Sequence, residues 1–481
     1  MAKLEELADW IEERQERFVL IANDIWAHPE VALAETYACA RQSADLAADG
    51  FRITRNVGGL PTAFMAEWGT GAPIIGFLGE YDALPDLAQQ ASPTQQPTAE
   101  GGPGHGCGHN LLGTAALAAA SGFKAWLAQT GQGGTVRYYG CPAEEAESGK
   151  LHMAAVGAFD DLDAAITWHP GSQNTVWAGS CLAVDNARFR FHGQTAHAAA
   201  EPEHGRSALD AVELTNIGVN FLREHVIQEA RIHYVITNGG GAPNVVPGDA
   251  EAWYFIRAPR REDLEEITQR VRLIARGAAL MTGTRLEEHD LNGLHNYLPN
   301  SVLGEVAQTA LEELGAIDFT AEEHAFARTV LDGYPAKMRA SIVRSLDLPK
   351  GIGDEALLAP ILAPRDAGKT LSGSTDVAET SWIAPTVQLT TTCFALGVPG
   401  HSWGITATSG MSIGHKGMLH AAKAMALTAA RIHADPATLT KAREEFRAAT
   451  GGRPYRAPLG ETFPTVTISP ESLIMPTGGT R

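Results

Sequence analysis

Between residues 182 and 291 the chain reads strand, helix, strand, strand, helix, strand, and this order constrains the fold more than any other feature. LAVDNARFRFHG (182–193), RIHYVITN (231–238), DAEAWYFIRA (249–258) and TRLEEHDL (284–291) read as strands. SALDAVELTNIGVNFLREHV (207–226) and REDLEEITQRVRLIARGAALMTG (261–283) read as helices. A βαββαβ run of roughly 110 residues is a split ferredoxin-like module. It interrupts a different pattern. Before it, TAFMAEW (62–68), PIIGFLGEY (73–81), TVRYYGCP (135–142) and AAITWHP (164–170) read as strands around the Ala-rich helix 111–129. After it, SVLGEVAQTALEELG (301–315) resumes helical structure, and 376–433 returns to alternation, ending in the helix KGMLHAAKAMALTAARIHA. The expectation is a discontinuous α/β domain of residues 1–184 and 299–481, interrupted by a ferredoxin-like domain of residues 185–298. Residues 316–370 give a mixed pattern, expected to be a variable surface excursion. The tail from Gly451, rich in Pro and Gly, reads as a wrapping arm or a partly disordered segment.

The balance of 37 basic and 56 acidic residues, a formal charge of -19, argues against a nucleic-acid partner. It leaves an anionic small molecule open, because local clusters can oppose the global field. The acidic amphipathic start, MAKLEELADWIEERQERF, lacks the apolar core of a signal peptide. No uninterrupted run of about 18 apolar residues occurs, so no membrane span is expected. Cys39, Cys107, Cys141, Cys181 and Cys393 are odd in number and scattered, which reads as reduced thiols in a cytoplasm.

Four segments carry metal-capable side chains. In His105-Gly106-Cys107-Gly108-His109-Asn110, glycines let the backbone turn so that neighbouring side chains converge. A thiolate and an imidazole two residues apart can share a first-row metal, although a glycine turn with incidental histidines reads the same way. Gly140-Cys141-Pro142-Ala143-Glu144-Glu145 follows a strand, and paired glutamates there can split ligand and proton-transfer roles. A bare Glu-Glu pair is more often a solvated turn. Trp168-His169-Pro170 ends an apolar strand, where a buried histidine with satisfied hydrogen bonds is the plain alternative. Ile413-Gly414-His415-Lys416-Gly417 precedes the last long helix, where a capping or surface histidine is the alternative. Separately these decide nothing. Together they supply Cys, His, Glu, His and His, about the ligand count for two metals sharing one water.

The combination resembles the aminoacylase and glutamate-carboxypeptidase metallopeptidases, in the amidohydrolase branch marked by Cys-Gly-His. GEYDALP (79–85), GHGCGHNLLGTAA (104–116), GCPAEE (140–145), WHP (168–170), GQTAHAAAEPEHGRSALDAV (193–212), GGGAPNVVP (239–247) and GHKGM (414–418) fall in family order across nearly the whole chain. The resemblance implies a metal-binding catalytic domain and a lid or dimerisation domain. It implies two divalent ions, Zn2+ or Mn2+, with Cys107 bridging, His109 and His169 completing one site, and Glu145 and His415 the other. It makes Glu144 the general base and acid, and His197 an oxyanion donor reaching the neighbouring subunit's site. Asn244 and Arg257 would meet the substrate carboxylate, and Glu80, Asp82 and His105 would support the ligands from behind. The implied activity is hydrolysis of N-acyl amino acids, above all aryl-acyl glutamates such as p-aminobenzoyl-glutamate. Indole-acetyl-aspartate, aminoacylase and dipeptidase substrates stay in reach, as does a catalytically silent role beside an active partner. The implied assembly is a homodimer or a heterodimer with a related subunit. Two departures stand out: Asn110 replaces a frequent Asp, and Glu80 replaces an Asp. Glu147, replacing a Gly, has no account at this level.

Overall fold

The computed structural model describes residues 4–346, 348–349, 351–352 and 355–460. The chain divides into two compact units. The first runs to Ser180 and takes in Leu298–Lys369 and Glu379–Ala457; the second holds Cys181–Tyr297, Thr370–Ala378 and the stretch at Pro458. Thr370–Ala378 thus belongs with the inserted module, where the sequence pattern puts it with the first domain.

The first unit is built on seven strands: β1 (Arg52–Arg55), β2 (Phe64–Thr70), β3 (Ile74–Glu80), β4 (Gly134–Cys141), β5 (Ala164–Gly171), β6 (Thr175–Val176) and β7 (Thr386–Thr392). They lie in the order β1-β2-β4-β3-β5-β7-β6. The centre is parallel, β4 with β3, β3 with β5 and β5 with β7, while the edges are antiparallel. Ile75, Phe77, Val136, Tyr138, Ile166 and Leu389 are all buried, as strands covered on both faces require. The helices His109–Thr130 and Ser412–Ala434 pack against each other and against the strands. His109–Thr130 is long and apolar enough by composition to cross a membrane. It instead has 83% of that stretch inside the unit. The expectation that no segment has this character rests on counting unbroken apolar runs, and Lys124 breaks this one without lowering its mean hydropathy enough.

Residues 316–370 are more regular than expected. They hold the helices Ala321–Asp332 and Ala336–Ser345. The first opens on a capping box: the Thr320 hydroxyl accepts from the Glu323 N–H, and the Glu323 carboxylate accepts from the Thr320 N–H. A further helix, Pro436–Thr450, starts after the Asp435 cap with Pro at its first position. The described part of the tail beyond Gly451 carries no helix or strand, and its residues 461–481 lie outside the described residues.

The second unit follows its sequence pattern closely. Ala183–His192, Arg231–Asn238, Asp249–Ala258 and Arg285–Leu294 form an antiparallel sheet. Numbered along the chain, these four strands lie in the order 4-1-3-2. The helices Ala208–Leu222 and Arg261–Thr282 cover one face. Along Asp249–Ala258 the alternate residues Ala250, Ala252, Tyr254, Ile256 and Ala258 are buried, so one face makes the core and the other stays polar.

Candidate metal centre

The parallel strands of the first unit deliver their carboxyl ends to one place, where chemistry collects in open α/β sheets. β3 ends at Glu80 with Asp82 just beyond; β4 leads into Glu144 and Glu145; β5 carries His169; and the chain after β7 brings His401. The Cys107 turn feeds the start of the helix His109–Thr130. Gly108 makes that turn possible. Its φ is +79°, and a Cβ there would meet the Phe394 ring at 2.9 Å and Pro170 at 3.1 Å.

Three groups of ligand atoms converge, each with its atoms within 4.8 Å of one another: Cys107, His109 and His169; Cys107, Glu145 and His401; and Glu80, His109 and Glu144. The Cys107 sulfur lies 3.4 Å from His169 Nε2, and His401 Nε2 lies 3.4 Å from Glu145 Oε2. His109 Nε2 and Glu145 Oε1 are buried 4.0 Å apart, and neither has a hydrogen-bond partner among the described residues. Buried polar atoms left in this way are costly. A cation held between them would meet that cost. The donor set of one sulfur, imidazoles and carboxylates suits a borderline-soft first-row ion.

Behind the ligands lies a buried support. His109 Nδ1 meets Asp82 Oδ1 at 2.9 Å, which orients the ring and leaves Nε2 facing the centre. Asp82 Oδ2 accepts from the Glu145 N–H at 3.0 Å, tying the acidic loop to the same carboxylate. Glu80 Oε2 lies 3.3 Å from His109 Nε2, and its other oxygen accepts from Lys150 Nζ at 2.5 Å, with both side chains enclosed. The substitution of Glu for Asp at position 80 therefore comes with a buried lysine that meets the longer arm. Asn110 has its own explanation. Its amide donates to the carbonyls of Ala22 and Ser409, which a carboxylate could not do. Glu147 is exposed, and its backbone N–H closes a turn onto the Ala143 carbonyl.

Burial and mutual pairing set the electrostatics of this cluster. Burial pushes the Cys107 thiol up to about 12, so a thiolate there calls for a positive partner. Burial opposes charge on His109, yet Cys107 and Asp82 hold its imidazolium well above the ordinary histidine range. Burial, and then His109, pushes His169 down. Burial works against the Asp82 and Glu80 carboxylates, but His109 beside Asp82, and Lys150 and His109 beside Glu80, keep both below the usual range.

Not every expected residue is in this place. His415 lies inside the helix Ser412–Ala434, where its Nε2 meets Asn23 Oδ1 at 2.9 Å and burial lowers its pKa to about 4. It is in none of the three groups; the helix begins earlier than expected and turns the ring toward Asn23. His401 stands beside Cys107 and Glu145 instead. His105 is buried with its Nε2 on the Ile25 carbonyl at 3.2 Å, and burial lowers its pKa to about 3. It is in none of the three groups.

His197, Asn244 and Arg257 lie in the second unit. His197 Nδ1 accepts from the N–H groups of Ala199 and Ala200, which puts the ring proton on Nε2 and makes that edge a donor. His197 itself pairs with Val245 in an isolated antiparallel bridge, and the Ala198 N–H donates to the Asn244 carbonyl at 3.0 Å. Asn244 is exposed. Arg257 donates to Ser374 Oγ at 3.0 Å. With Arg231 and His233 it lines a cavity of about 530 Å3, in which Glu229 is the one carboxylate among the described lining residues. Neither arginine forms an ion pair with a carboxylate among the described residues, and burial lowers the Arg257 pKa.

The chain is 45% identical over 474 residues to a subunit of the p-aminobenzoyl-glutamate hydrolase of Escherichia coli, covering 96% of this chain and 98% of that protein. The chain belongs to the aminoacylase and glutamate-carboxypeptidase family. It is a hydrolase of that family. The chain is also similar to the Xaa-Arg dipeptidase of Mus musculus, 30% identical over 456 residues, covering 92% of this chain and 91% of that protein. Residues 184–280 match the model of the peptidase dimerisation domain. A solved Bacillus subtilis structure, described as a dinuclear metal binding peptidase from the M20 family, shares the fold with a TM-score of 0.58 at 18% identity. The match covers 88% of this chain and 99% of that one.

Proposed function

We propose that this hydrolase is a two-metal amidohydrolase that cleaves aryl-acyl glutamates such as p-aminobenzoyl-glutamate. The observation that carries the reading is the convergence of two ligand groups on one thiol, Cys107, each holding a buried atom without a hydrogen-bond partner, His109 Nε2 in one and Glu145 Oε1 in the other. Cys107, His109 and His169 would hold one ion, and Cys107, Glu145 and His401 the other, with Zn2+ and Mn2+ the candidates. When bound, the ions acidify a water and polarise the scissile carbonyl. Glu144 takes the proton from that water and returns it to the leaving nitrogen. The Nε2–H edge of His197 of the partner subunit supports the oxyanion, in a homodimer or a heterodimer with a related chain.

Arg257 and Asn244 receive the substrate carboxylate. In the cavity with Arg231 and His233 the cationic groups outnumber Glu229, which favours an acidic leaving amino acid over arginine. That separates this reading from a dipeptidase specific for a basic residue. Five cysteines with no disulfide among them suit a cytoplasmic setting. The test is a panel assay with metal-analysed protein. Aryl-acyl glutamate should be hydrolysed fastest, ahead of aryl-acyl aspartate, acetyl-amino acids and Xaa-Arg dipeptides. Preference for an Xaa-Arg dipeptide would overturn the substrate reading, and full activity after exhaustive chelation would overturn the chemistry.

A further inference from the structure

The acidic loop after β4 is held in an unfavourable backbone shape. Ala143 has a φ of +59° and Ser148 a φ of +56°, so two residues with side chains take the left-handed region on either side of Glu144 and Glu145. Such conformations persist only where the surroundings over-determine them. The Ala143 carbonyl accepts from the N–H groups of both Glu147 and Ser148, which closes the loop at its base. The Ala143 N–H, left facing the core by that turn, donates at 2.8 Å to Glu35 Oε1. Glu35 comes from a distant segment, ahead of the helix Thr36–Ala48, and is 0% exposed. Its second oxygen accepts from Thr62 Oγ1 at 2.9 Å, and the Thr62 carbonyl accepts in turn from the Tyr81 hydroxyl.

We propose that Glu35 is a positioning residue for the hydrolytic reaction, gripping the Ala143 N–H so that the loop presents Glu144 to the substrate. The proposal rests on the reading of Glu144 as the proton-transfer group. Two buried carboxylates then flank that residue: Glu35 holds the peptide before it, and Asp82 holds the N–H of Glu145 after it. Asp82 also fixes His109, so its loss would disturb ligand and loop together. Glu35 belongs to none of the three ligand groups, and its effect passes through the loop backbone. A misplacement of about 1 Å at a reacting group costs on the order of 10²-fold in rate.

Glu35→Ala should therefore lower kcat about 10²-fold while KM stays within about threefold and metal content is unchanged. Glu35→Gln keeps an acceptor for the Ala143 N–H and an amide that the Thr62 hydroxyl can accept from, so it should restore kcat to within about fivefold of the parent. Hydrogen exchange at the Ala143 amide, measured on metal-free protein, should be fast in Glu35→Ala and slow in the parent and in Glu35→Gln. If Glu35→Ala does not fold, Glu35→Asp, whose shorter arm cannot reach both donors, carries the same expectations. A kcat within about threefold of the parent in the Ala or Asp variant would overturn the proposal. So would equal losses in the Gln and Ala variants, or unchanged exchange at Ala143. If the parent hydrolyses no N-acyl amino acid, the proposed function fails, and the exchange measurement still decides whether Glu35 holds the loop.

Discussion

His401 and His415 both follow β7, and they have opposite surroundings. His401 stands on a loop at a φ of +49°, its side chain 57% exposed, with Nε2 turned to Glu145. His415 sits within a helix, half-buried, with its ring bonded to Asn23. The lesson is that a glycine beside a histidine does not by itself mark a candidate ligand, since both Gly400-His401 and Gly414-His415 carry one and only His401 meets the cluster. His169 lies two residues before the end of β5, the glutamate pair follows β4, and His401 stands on the loop after β7. His415 lies within a helix, and its Nε2 already meets Asn23 Oδ1.

The sharpest way to break this comparison is to remove each histidine. His401→Ala should lose one ion and lower activity by several orders of magnitude, because one ion would acidify a water less than two would. Glu145→Gln should behave the same way. His415→Ala should keep both ions and stay within about fivefold of the parent, its cost being one hydrogen bond of about 1 kcal/mol in stability. Elemental analysis beside steady-state rates reads all three. Reversed results for the two histidines would return His415 to the centre.

A smaller effect separates ligand from base. Glu144→Gln should keep its metal and lose about 10²–10⁴ in kcat. Similar metal loss in Glu144→Gln and Glu145→Gln would erase the division of roles within the loop.

His197 extends the comparison to a third histidine, whose proton is fixed on Nε2 and which should act with no metal of its own. His197→Ala should lose about 10²–10³ in rate with metal intact. Mixing it with Glu144→Gln chains should restore activity, since one site of a mixed dimer is then whole. No recovery, with exchange of chains shown by mass, would mean that each chain uses its own His197.

The smallest effect is in stability. Burial holds the ring pKa of His415, and likewise of His420, down at about 4. The unfolded chain protonates both near the ordinary value of about 6.5. Below that pH the unfolded state binds more protons, so stability falls as pH drops from about 6.5 toward 4. For the partly exposed His415 the loss is about 1–2 kcal/mol after allowing for solvent screening. In metal-free protein His415→Gln should flatten the acid side of the melting-temperature profile and leave it unchanged above about pH 7. Equal slopes would show that His415 titrates normally.

Much of this is legible in the sequence. The second unit follows its alternating pattern because one face of its sheet is buried and the other polar, as Asp249–Ala258 shows. Cys107, His109, Glu144, Glu145 and His169 are legible because glycines or strand ends expose them locally. His401 is not, since Pro399-Gly400-His401 is a short turn with no second ligand beside it. Only the strand TVQLTTT before it gives a signal, and it matches the rule that finds His169. Glu35 is invisible for a different reason: its partner is a backbone N–H far along the chain, and no side-chain pattern records that. The helix Ala321–Asp332 can be read from Thr320 and Glu323, and Pro436–Thr450 from Asp435-Pro436.

The most direct measurement is a crystal structure of the metal-loaded protein with anomalous data collected at the metal edge. The account predicts two peaks per chain that share the Cys107 sulfur, one completed by His109 and His169 and the other by Glu145 and His401, with His415 still on Asn23. A single peak, or a second ion bound by His415 in place of His401, would contradict it.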